Sequence, residues 1–532
     1  MAVTPAKLPK SIEDVVDIED FNSRVIGLYE KGIGDIEAGA DLDTARSAIP
    51  AATGGIRDFS SIAPEIPEFI QENCIGCMEC VTECPDTAIL GRVIPQSKLE
   101  PALAALPEGE QYLRKSWSKT KKYWDAFEKQ KKEPGYFGIF IDPTKCKGCA
   151  ECVQVCDDDA LRMIKKTDES MAVVAREWQH FREVGPTPKE YVIEKSLADM
   201  MLSDRTLQYV GGAGSCAGCG EATALRMMVA ATCHVYGPEN VGLLAATGCN
   251  TVYTSTYPYN PYNLAWSNSL FENVPTYAMG VRAKWDQMGW EHKRLWCIGG
   301  DGAMLDIGFQ SLSRMLMSGM DIKVLVLDTQ VYSNTGGQAS TSTYLGQRTK
   351  MSDHGKAIGG KQERRKELAQ IAIAHPNVFV AQTTAVHINH FYRAIMRANE
   401  FKGPAVVICY TTCQPEHGVA DHLAGHQARL AVDSRAFPLL VHDPEAGDLL
   451  RERINLTGNP SKDKDWYTNP KTGEVIDFIT FARSEGRFEK HFDKDGNPSE
   501  TILRGKEDRR LNWRFLQELA GITPEKHESS GN

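Results

Sequence analysis

Residues 294–337 read RLWCIGGDGAMLDIGFQSLSRMLMSGMDIKVLVLDTQVYSNTGG. The first seven, Arg294–Gly300, form a short and mostly apolar run, as expected of a buried strand. It ends in a Gly-Asp-Gly turn at Gly300, Asp301 and Gly302. Phe309, Leu312 and Leu316 then recur at i, i+3 and i+7, which marks one face of a helix. Residues 322–327 form a second buried strand, which delivers Asp328, Thr329 and Asn334 into a glycine-rich loop. The stretch predicts a β-α-β unit with a polar residue at the end of each strand. In an open α/β sheet, ligands bind beyond the carboxyl ends of the strands.

The residue types at those ends suit a metal-bridged diphosphate. Glycines let the backbone approach phosphate oxygens, and helix N-termini favour anions. Asp301 offers a hard carboxylate and Thr329 a hydroxyl, both ligands for Mg²⁺, which prefers oxygen and is commonly shared with phosphates. The bland alternative is an ordinary strand-turn-helix with a buried Asp.

Working outward, the 532 residues allow two to four domains, and 42% hydrophobic with 24% charged residues is a globular composition. No run of eighteen apolar residues is present, so no membrane span is expected. The N-terminus lacks the apolar region of a secretory signal, so a cytoplasmic location is expected. A formal charge of −10 argues against nucleic acid as a partner.

The 15 cysteines are many for a chain expected in a reducing compartment, and they cluster, which points to metal binding rather than disulfides. Cys74, Cys77, Cys80 and Cys84 follow the spacing C-x₂-C-x₂-C-x₃-C, with Pro85 next. This is the bacterial ferredoxin run for a [4Fe–4S] cluster. Cys146, Cys149, Cys152 and Cys156 repeat it, with Asp157 in place of the proline. The fourth cysteine of each run ligates the other cluster in two-cluster ferredoxins. The expected sets are therefore Cys74, Cys77, Cys80 and Cys156, and Cys146, Cys149, Cys152 and Cys84.

Cys216 and Cys219 form a CxxC ahead of a helical run, a weak signal on its own. Strands at 241–246 and 405–410 end at Thr247-Gly248-Cys249 and Thr411-Thr412-Cys413. If these strands run parallel to the two quoted above, Cys249 and Cys413 emerge on the diphosphate edge. Cys216, Cys219, Cys249 and Cys413 then make a third four-cysteine site beside it. Cys233, Cys297 and Cys409 lie within expected helix or strands and read as buried small hydrophobes. His387, His390 and His417 read as packing or loop histidines.

The remaining segments are less informative. Residues 12–29 suggest a helix, and 38–61 an extended arm that could wrap a partner subunit. Residues 113–133 read as a basic, helical insertion. It is either a solvated face or a docking face for an acidic external ferredoxin. Residues 160–210 look mainly helical, 430–532 look polar and turn-rich with a short closing helix at 511–519, and the last residues look disordered.

GDG followed by DTQVYSNTGGQAS, with SCAGCGE at 215–221, ATGCN at 246–250, AWSNSLFEN at 265–273 and TTCQPEHG at 411–418, resembles the 2-oxoacid:ferredoxin oxidoreductases of the pyruvate type. The resemblance covers about residues 70–430. It implies an α/β fold: a parallel-sheet thiamine-diphosphate-binding domain plus a bacterial two-[4Fe-4S] ferredoxin-like α+β domain. The expected divisions are 1–65 (arm), 66–165 (ferredoxin-like), 166–430 (thiamine diphosphate and proximal cluster) and 431–532 (extension).

By this resemblance Asp301, Thr329 and the Val331 carbonyl hold Mg²⁺. Gly248, Cys249, Gly300 and Gly302 line the cofactor, and Asn334 sits beside its thiazolium ring and the substrate. Cys216, Cys219, Cys249 and Cys413 hold the proximal of three [4Fe-4S] clusters. The implied reaction is coenzyme-A-dependent oxidative decarboxylation of a 2-oxoacid, pyruvate by overall match, or its reversal. Ferredoxin or flavodoxin is the implied electron partner. Thiamine enzymes also need a glutamate from a pyrimidine-binding domain, and no second α/β domain of sufficient size is evident. The expectation is a β-type subunit whose α-type partner carries the pyrimidine, substrate and coenzyme A domains, in a dimer of heterodimers. A 2-oxoglutarate-type enzyme and an electron-transfer subunit without thiamine chemistry are the alternatives.

Overall fold

A computed structural model describes residues 18–37, 49–352 and 359–524. The expected arm lies partly outside these residues, and the expected disordered end lies almost wholly outside them.

The ferredoxin-like part is built from four strands. They are β1 (Glu65–Phe69), β2 (Ile89–Pro95), β3 (Gly135–Ile141) and β4 (Leu161–Lys165). The first cysteine run lies between β1 and β2 and the second between β3 and β4. β1 pairs antiparallel with β4, and β2 with β3. Each run is thus flanked by strands that pair with strands flanking the other run. This interleaving brings the end of each run to the start of the other.

The second part is one large sheet. Its strands are β5 (Val241–Ala246), β6 (Ala265–Ser269), β7 (Arg294–Gly300), β8 (Lys323–Asp328), β9 (Phe379–Thr384) and β10 (Ala405–Tyr410). Two short strands, β11 (Leu440–His442) and β12 (Ile454–Asn455), follow. The order is β12-β11-β9-β10-β8-β7-β5-β6. β5 to β10 are parallel, β11 pairs antiparallel with β9 at one edge, and β12 pairs antiparallel with β11 outside it. β5, β8, β9 and β10 are buried along their whole length, which suits the mostly apolar β5 and β10; β9 buries Gln382, Thr383 and Thr384 as well. β6, the opposite edge, carries Ser267, Asn268 and Ser269 and is partly exposed, as edge strands tend to be. The chain leaves β5 towards β6 on one side and returns to β7 on the other. The crevice between the ends of β5 and β7 is the switch point where open α/β sheets bind ligands.

The two parts are joined through the buried helix Gly220–Tyr236. Its Arg226 donates to the Val81 carbonyl at 2.7 Å and the Cys84 carbonyl at 2.9 Å, closing the end of the short helix Glu79–Glu83.

Several readings need correction. The insertion at 113–133 is helical, as expected, but broken in two: Glu108–Ser116 lies before the break, and Lys121–Asp125 runs straight on into Ala126–Lys129 after it. Ser118 between them bridges to Phe137 of β3. Trp117, Tyr123 and Trp124 are buried, and an isolated solvated helix could not bury three aromatics on the module. Residues 160–210 hold one long helix, Asp168–Glu183, and otherwise a strand and short turns. The described part of the arm docks on its own chain, with Ala52, Thr53 and Gly54 bonded to Tyr262, Pro258 and Asn260. The segment after 430 is polar in composition, yet it adds β11 and β12 to the sheet. It also packs Phe478, Phe481, Phe488, Trp513 and Leu516 into the core around β8 and β10. Its closing helix is Glu500–Leu519, longer than 511–519 because its first half alternates charge with burial.

Candidate active site

The carboxyl ends of β5, β7 and β8 enclose a cleft. It is lined by Thr247, Gly248 and Cys249 after β5, by Gly300, Asp301 and Gly302 after β7, and by Thr329, Val331 and Asn334 after β8, together with Glu221. All the residues read from the sequence as cofactor-binding are therefore brought together here. Gly302 has a local reason. A Cβ there would lie 2.2 Å from the Tyr332 ring, so only glycine lets the two loops meet.

Asp301 is buried at the back of the cleft. Thr329 Oγ1 lies 3.1 Å from Asp301 Oδ1 and 3.0 Å from the Val331 carbonyl. Three oxygens of three chemical types thus stand within contact of one another. Ser340 and Ser342 donate to Asp301 Oδ2, the latter at 2.8 Å. Burial, and Asp328 beside it, push the Asp301 carboxyl up to about 7 despite those donors. A buried carboxylate under such pressure, facing a hydroxyl and a carbonyl, is a donor set that gains from a hard cation. The residues present therefore fit a Mg²⁺-diphosphate group, with glycine backbone around it for the phosphates.

A second cavity adjoins the first. Cys216, Cys219, Cys249 and Cys413 line it, and Glu221, Cys249, Thr329, Ser333 and Asn334 face both cavities. The parallel register of β10 with β8 carries Cys413 to this edge. The start of the helix Gly220–Tyr236 carries Cys219. A Cβ on Gly220 would lie 2.6 Å from the Thr412 nitrogen, so glycine permits the approach that sets Cys219 beside Cys413. Burial pushes the Cys413 thiol up to about 11, while the Ser333 hydroxyl bonded to it opposes the shift. Ser333 also stands 2.8 Å from Thr329 Oγ1, so one side chain touches both groups of ligands.

Each ferredoxin-type run brings the last cysteine of the other run close to its first three. Cys80 is pushed up by burial first and then by Cys74, Cys77, Cys156 and Cys84. Cys152 is pushed up by burial and then by Cys149, Cys146, Cys84 and Cys80. Cys74, Cys77, Cys80 and Cys156 share one cavity. Among the described residues no three Cys, His, Asp or Glu side chains close on a point that could hold a single ion. Two of the quartets line cavities: Cys216, Cys219, Cys249 and Cys413 one, and Cys74, Cys77, Cys80 and Cys156 another.

Glu221 was missed as a site residue in the sequence, although it closes the SCAGCGE motif. It is buried, Oε2 has no partner, and burial with Asp301 pushes it up to about 8. His417 is fully buried, and its Nε2 donates to the Thr329 carbonyl at 2.8 Å. Asn334 is exposed on the cleft rim. Cys233, Cys297 and Cys409 are buried apart from the site, as expected.

Comparison with known proteins agrees with this geometry. Residues 246–409 match the family Thiamine pyrophosphate enzyme, C-terminal TPP binding domain, and residues 66–89 and 139–162 each match a 4Fe-4S binding domain. The chain thus combines an α/β thiamine-diphosphate-binding domain with a two-[4Fe–4S] ferredoxin-like domain. Among named relatives, it is 27% identical to the probable pyruvate-flavodoxin oxidoreductase of Escherichia coli (strain K12), over 75% of this chain and 38% of that one. It is 26% identical to the pyruvate-flavodoxin oxidoreductase of Rhodospirillum rubrum, over 87% and 42%, and 27% identical to the pyruvate:ferredoxin oxidoreductase of Moorella thermoacetica, over 72% and 37%. The chain spans about two fifths of the length of these relatives. A solved 2-oxoglutarate:ferredoxin oxidoreductase from Magnetococcus marinus, with 2-oxoglutarate, coenzyme A and succinyl-CoA bound, matches 38% of this chain and 64% of its own at 20% identity, with a TM-score of 0.32. The resemblance to 2-oxoacid:ferredoxin oxidoreductases, read first from short motifs, therefore extends along most of the chain.

Proposed function

We propose that this chain is the β-type subunit of a pyruvate:ferredoxin oxidoreductase. The reaction takes pyruvate and coenzyme A to acetyl-CoA and carbon dioxide, with two electrons leaving singly, or runs in the reverse, carboxylating direction. The observation that carries the reading is the shared wall. Glu221, Ser333 and Asn334 stand between the Mg²⁺-type oxygens and the Cys216, Cys219, Cys249 and Cys413 thiols, and Ser333 touches Thr329 directly.

When bound, thiamine diphosphate supplies the carbanion chemistry and the clusters supply one-electron carriers. This chain's residues do the rest. Asp301, Thr329 and the Val331 carbonyl are the Mg²⁺ ligands, and Ser340 and Ser342 fix the Asp301 carboxylate. Asn334, exposed on the rim of both cavities, would face the substrate. Glu221 keeps a buried carboxyl between the two cavities. The crossed ferredoxin-type quartets lead outwards, and the Cys74–Cys77 loop reaches the surface at Ile75, which is 53% exposed. The broken insertion packs over that loop, with Thr120 and Tyr123 both within 3.5 Å of where a Gly76 Cβ would stand. Residues 113–133 hold eight basic and three acidic residues. An acidic ferredoxin or flavodoxin fits that surface.

Among the described residues there is one eight-stranded sheet and otherwise only two-stranded ones. We place the pyrimidine-binding glutamate, the substrate-carboxylate contact and most coenzyme A contacts on an α-type partner, in a dimer of heterodimers. A 2-oxoglutarate substrate is the second reading, because the groups that read the far end of the acid belong to that partner. Anaerobic co-purification with the partner, followed by iron, thiamine and activity assays on several 2-oxoacids, tests the whole. About twelve irons, one thiamine diphosphate and coenzyme-A-dependent dye reduction by pyruvate support it. A loaded complex that prefers another 2-oxoacid overturns the substrate alone. Turnover by the isolated chain overturns the partner requirement.

A further inference from the structure

Gln330 lies between the proposed Mg²⁺ ligands Thr329 and Val331. It is fully buried and holds φ +57°, a left-handed conformation that a residue with a Cβ adopts at a cost. The turn it makes sets Thr329 Oγ1 and the Val331 carbonyl 3.0 Å apart on the Asp301 side. Strained backbone of this kind persists where its surroundings over-determine it.

The surroundings can be named. The Gln330 nitrogen donates to Asp328 Oδ1 at 3.1 Å. Its carbonyl accepts from Thr343 Oγ1 at 2.7 Å and from Gln347 Nε2 at 3.0 Å. Its side-chain Oε1 accepts from Arg487 Nη2 at 3.1 Å, and Arg487 Nη1 stands 3.5 Å from the Thr329 carbonyl. Arg487 Nε in turn donates to Glu485 Oε2 at 2.6 Å. Glu485 Oε1 accepts from Tyr410 at 3.1 Å and Gln427 at 3.1 Å. Both Arg487 and Glu485 have side chains 0% exposed. A buried ion pair is a poor way to fill space, since apolar side chains do it with less desolvation. Here the guanidinium is spent on three acceptors, and two of them belong to the strained turn.

We propose that Arg487, held by Glu485, is a positioning residue for the Mg²⁺-diphosphate loop. It fixes the left-handed Gln330 turn that presents Thr329 and Val331. The segment after 430 thereby becomes part of the cofactor site. This inference rests on the thiamine diphosphate reading given above.

The test uses the full chain in its complex, with clusters intact and stripped of Mg²⁺ and thiamine diphosphate. Calorimetry reads the Mg²⁺ dependence of thiamine diphosphate binding, alongside iron content and the cofactor-free melting temperature. Gln330→Gly keeps the left-handed backbone without strain and leaves the ion pair whole, but deletes the side chain that Arg487 grips. Arg487→Met with Glu485→Gln removes the grip from the other end without stranding a charge. Each should weaken Mg²⁺ binding about 10- to 100-fold, as loss of an outer support does, with iron unchanged. Combined, they should be no worse than either alone, because they break the same link. Wild-type Mg²⁺ affinity in Gln330→Gly, or effects that simply add, overturns the proposal. If the Arg487 and Glu485 variant does not fold, Gln330→Gly decides alone. A wild-type complex that binds no thiamine diphosphate overturns the cofactor reading itself, and this inference falls with it.

Discussion

Asp301 carries a charge that the cofactor-free fold disfavours. Its carboxyl is raised from an ordinary aspartate value to about 7 by burial and by Asp328. A group raised in the folded state stabilises that state by holding its proton. The contribution is complete below the ordinary aspartate value and is lost as pH rises through about 7. Mg²⁺ bound at the proposed site would reverse the preference by pairing the ionised form. Asp301→Asn should therefore have two opposite effects. At pH 8 the cofactor-free variant should melt a few degrees higher than wild type, because a neutral side chain replaces a repelled carboxylate. Its Mg²⁺-dependent binding of thiamine diphosphate should fall by more than about 100-fold. Melting curves and calorimetry on one preparation check both, and a variant that melts lower while still binding contradicts both. Asp301 and Thr329 were readable in the sequence because each follows directly on an apolar strand, so position and chemistry coincide. Glu221 was not, because its role depends on which way the first turn of a buried helix faces. Gln330 and Arg487 are 157 residues apart, and nothing local to either announces the other.

Elements were legible where apolar runs are closed by turn residues. β5, β7 and β10 fall where the pattern put them, because strands buried on both faces have no polar positions to blur their limits. The insertion and the closing segment were misread for the converse reason. Their lysines and acids dominate the composition, while a few aromatics decide the packing. Trp513 is the anchor of the closing helix. Its Nε1 donates to the Lys464 carbonyl at 2.8 Å, and Arg435 lies over its ring at 4.2 Å. Trp513→Ala should cost roughly 3–5 kcal/mol, the usual toll of a buried Trp truncation, as read from denaturant unfolding. A loss within about 0.5 kcal/mol would mean that the helix is an appendage. In the insertion, the Lys119 ammonium lies 3.8 Å from the centre of the Trp124 ring and remains exposed, and Lys121 is exposed beside it. Lys119→Glu with Lys121→Glu should raise KM for an acidic electron-carrier protein by roughly tenfold at low salt. Reduction of a small dye should not change, and the difference should shrink as salt rises. An unchanged KM for the carrier would leave the insertion a structural cover for the Cys74–Cys77 loop.

At the scale of the whole molecule, one feature was carried by spacing alone: the exchange of fourth cysteines between the two runs. The strand pairing gives it a physical basis, since β1 with β4 and β2 with β3 interlock the two halves. What spacing could not convey is how the halves meet the third quartet. Lys147, inside the second run, is buried and pairs with Asp86 at 2.7 Å. It also donates to the carbonyls of Ala213 and Ser215 at 2.9 and 2.8 Å, on the loop that leads to Cys216. The second cysteine run is therefore tied directly to the loop that leads to Cys216, whereas the first reaches the surface at Ile75. Cys84→Ala separates the crossed from the uncrossed arrangement. Crossed ligation predicts a loss of about four irons, with Cys146, Cys149 and Cys152 becoming open to alkylation while Cys74, Cys77, Cys80 and Cys156 stay protected. Uncrossed ligation predicts the opposite set, because Cys84 would then complete its own run. The crossed outcome has a further consequence. The cluster lost is the one joined to the proximal loop, so electrons should no longer reach an external carrier protein. Thiamine diphosphate binding, which depends on the sheet and not on the ferredoxin-like part, should persist.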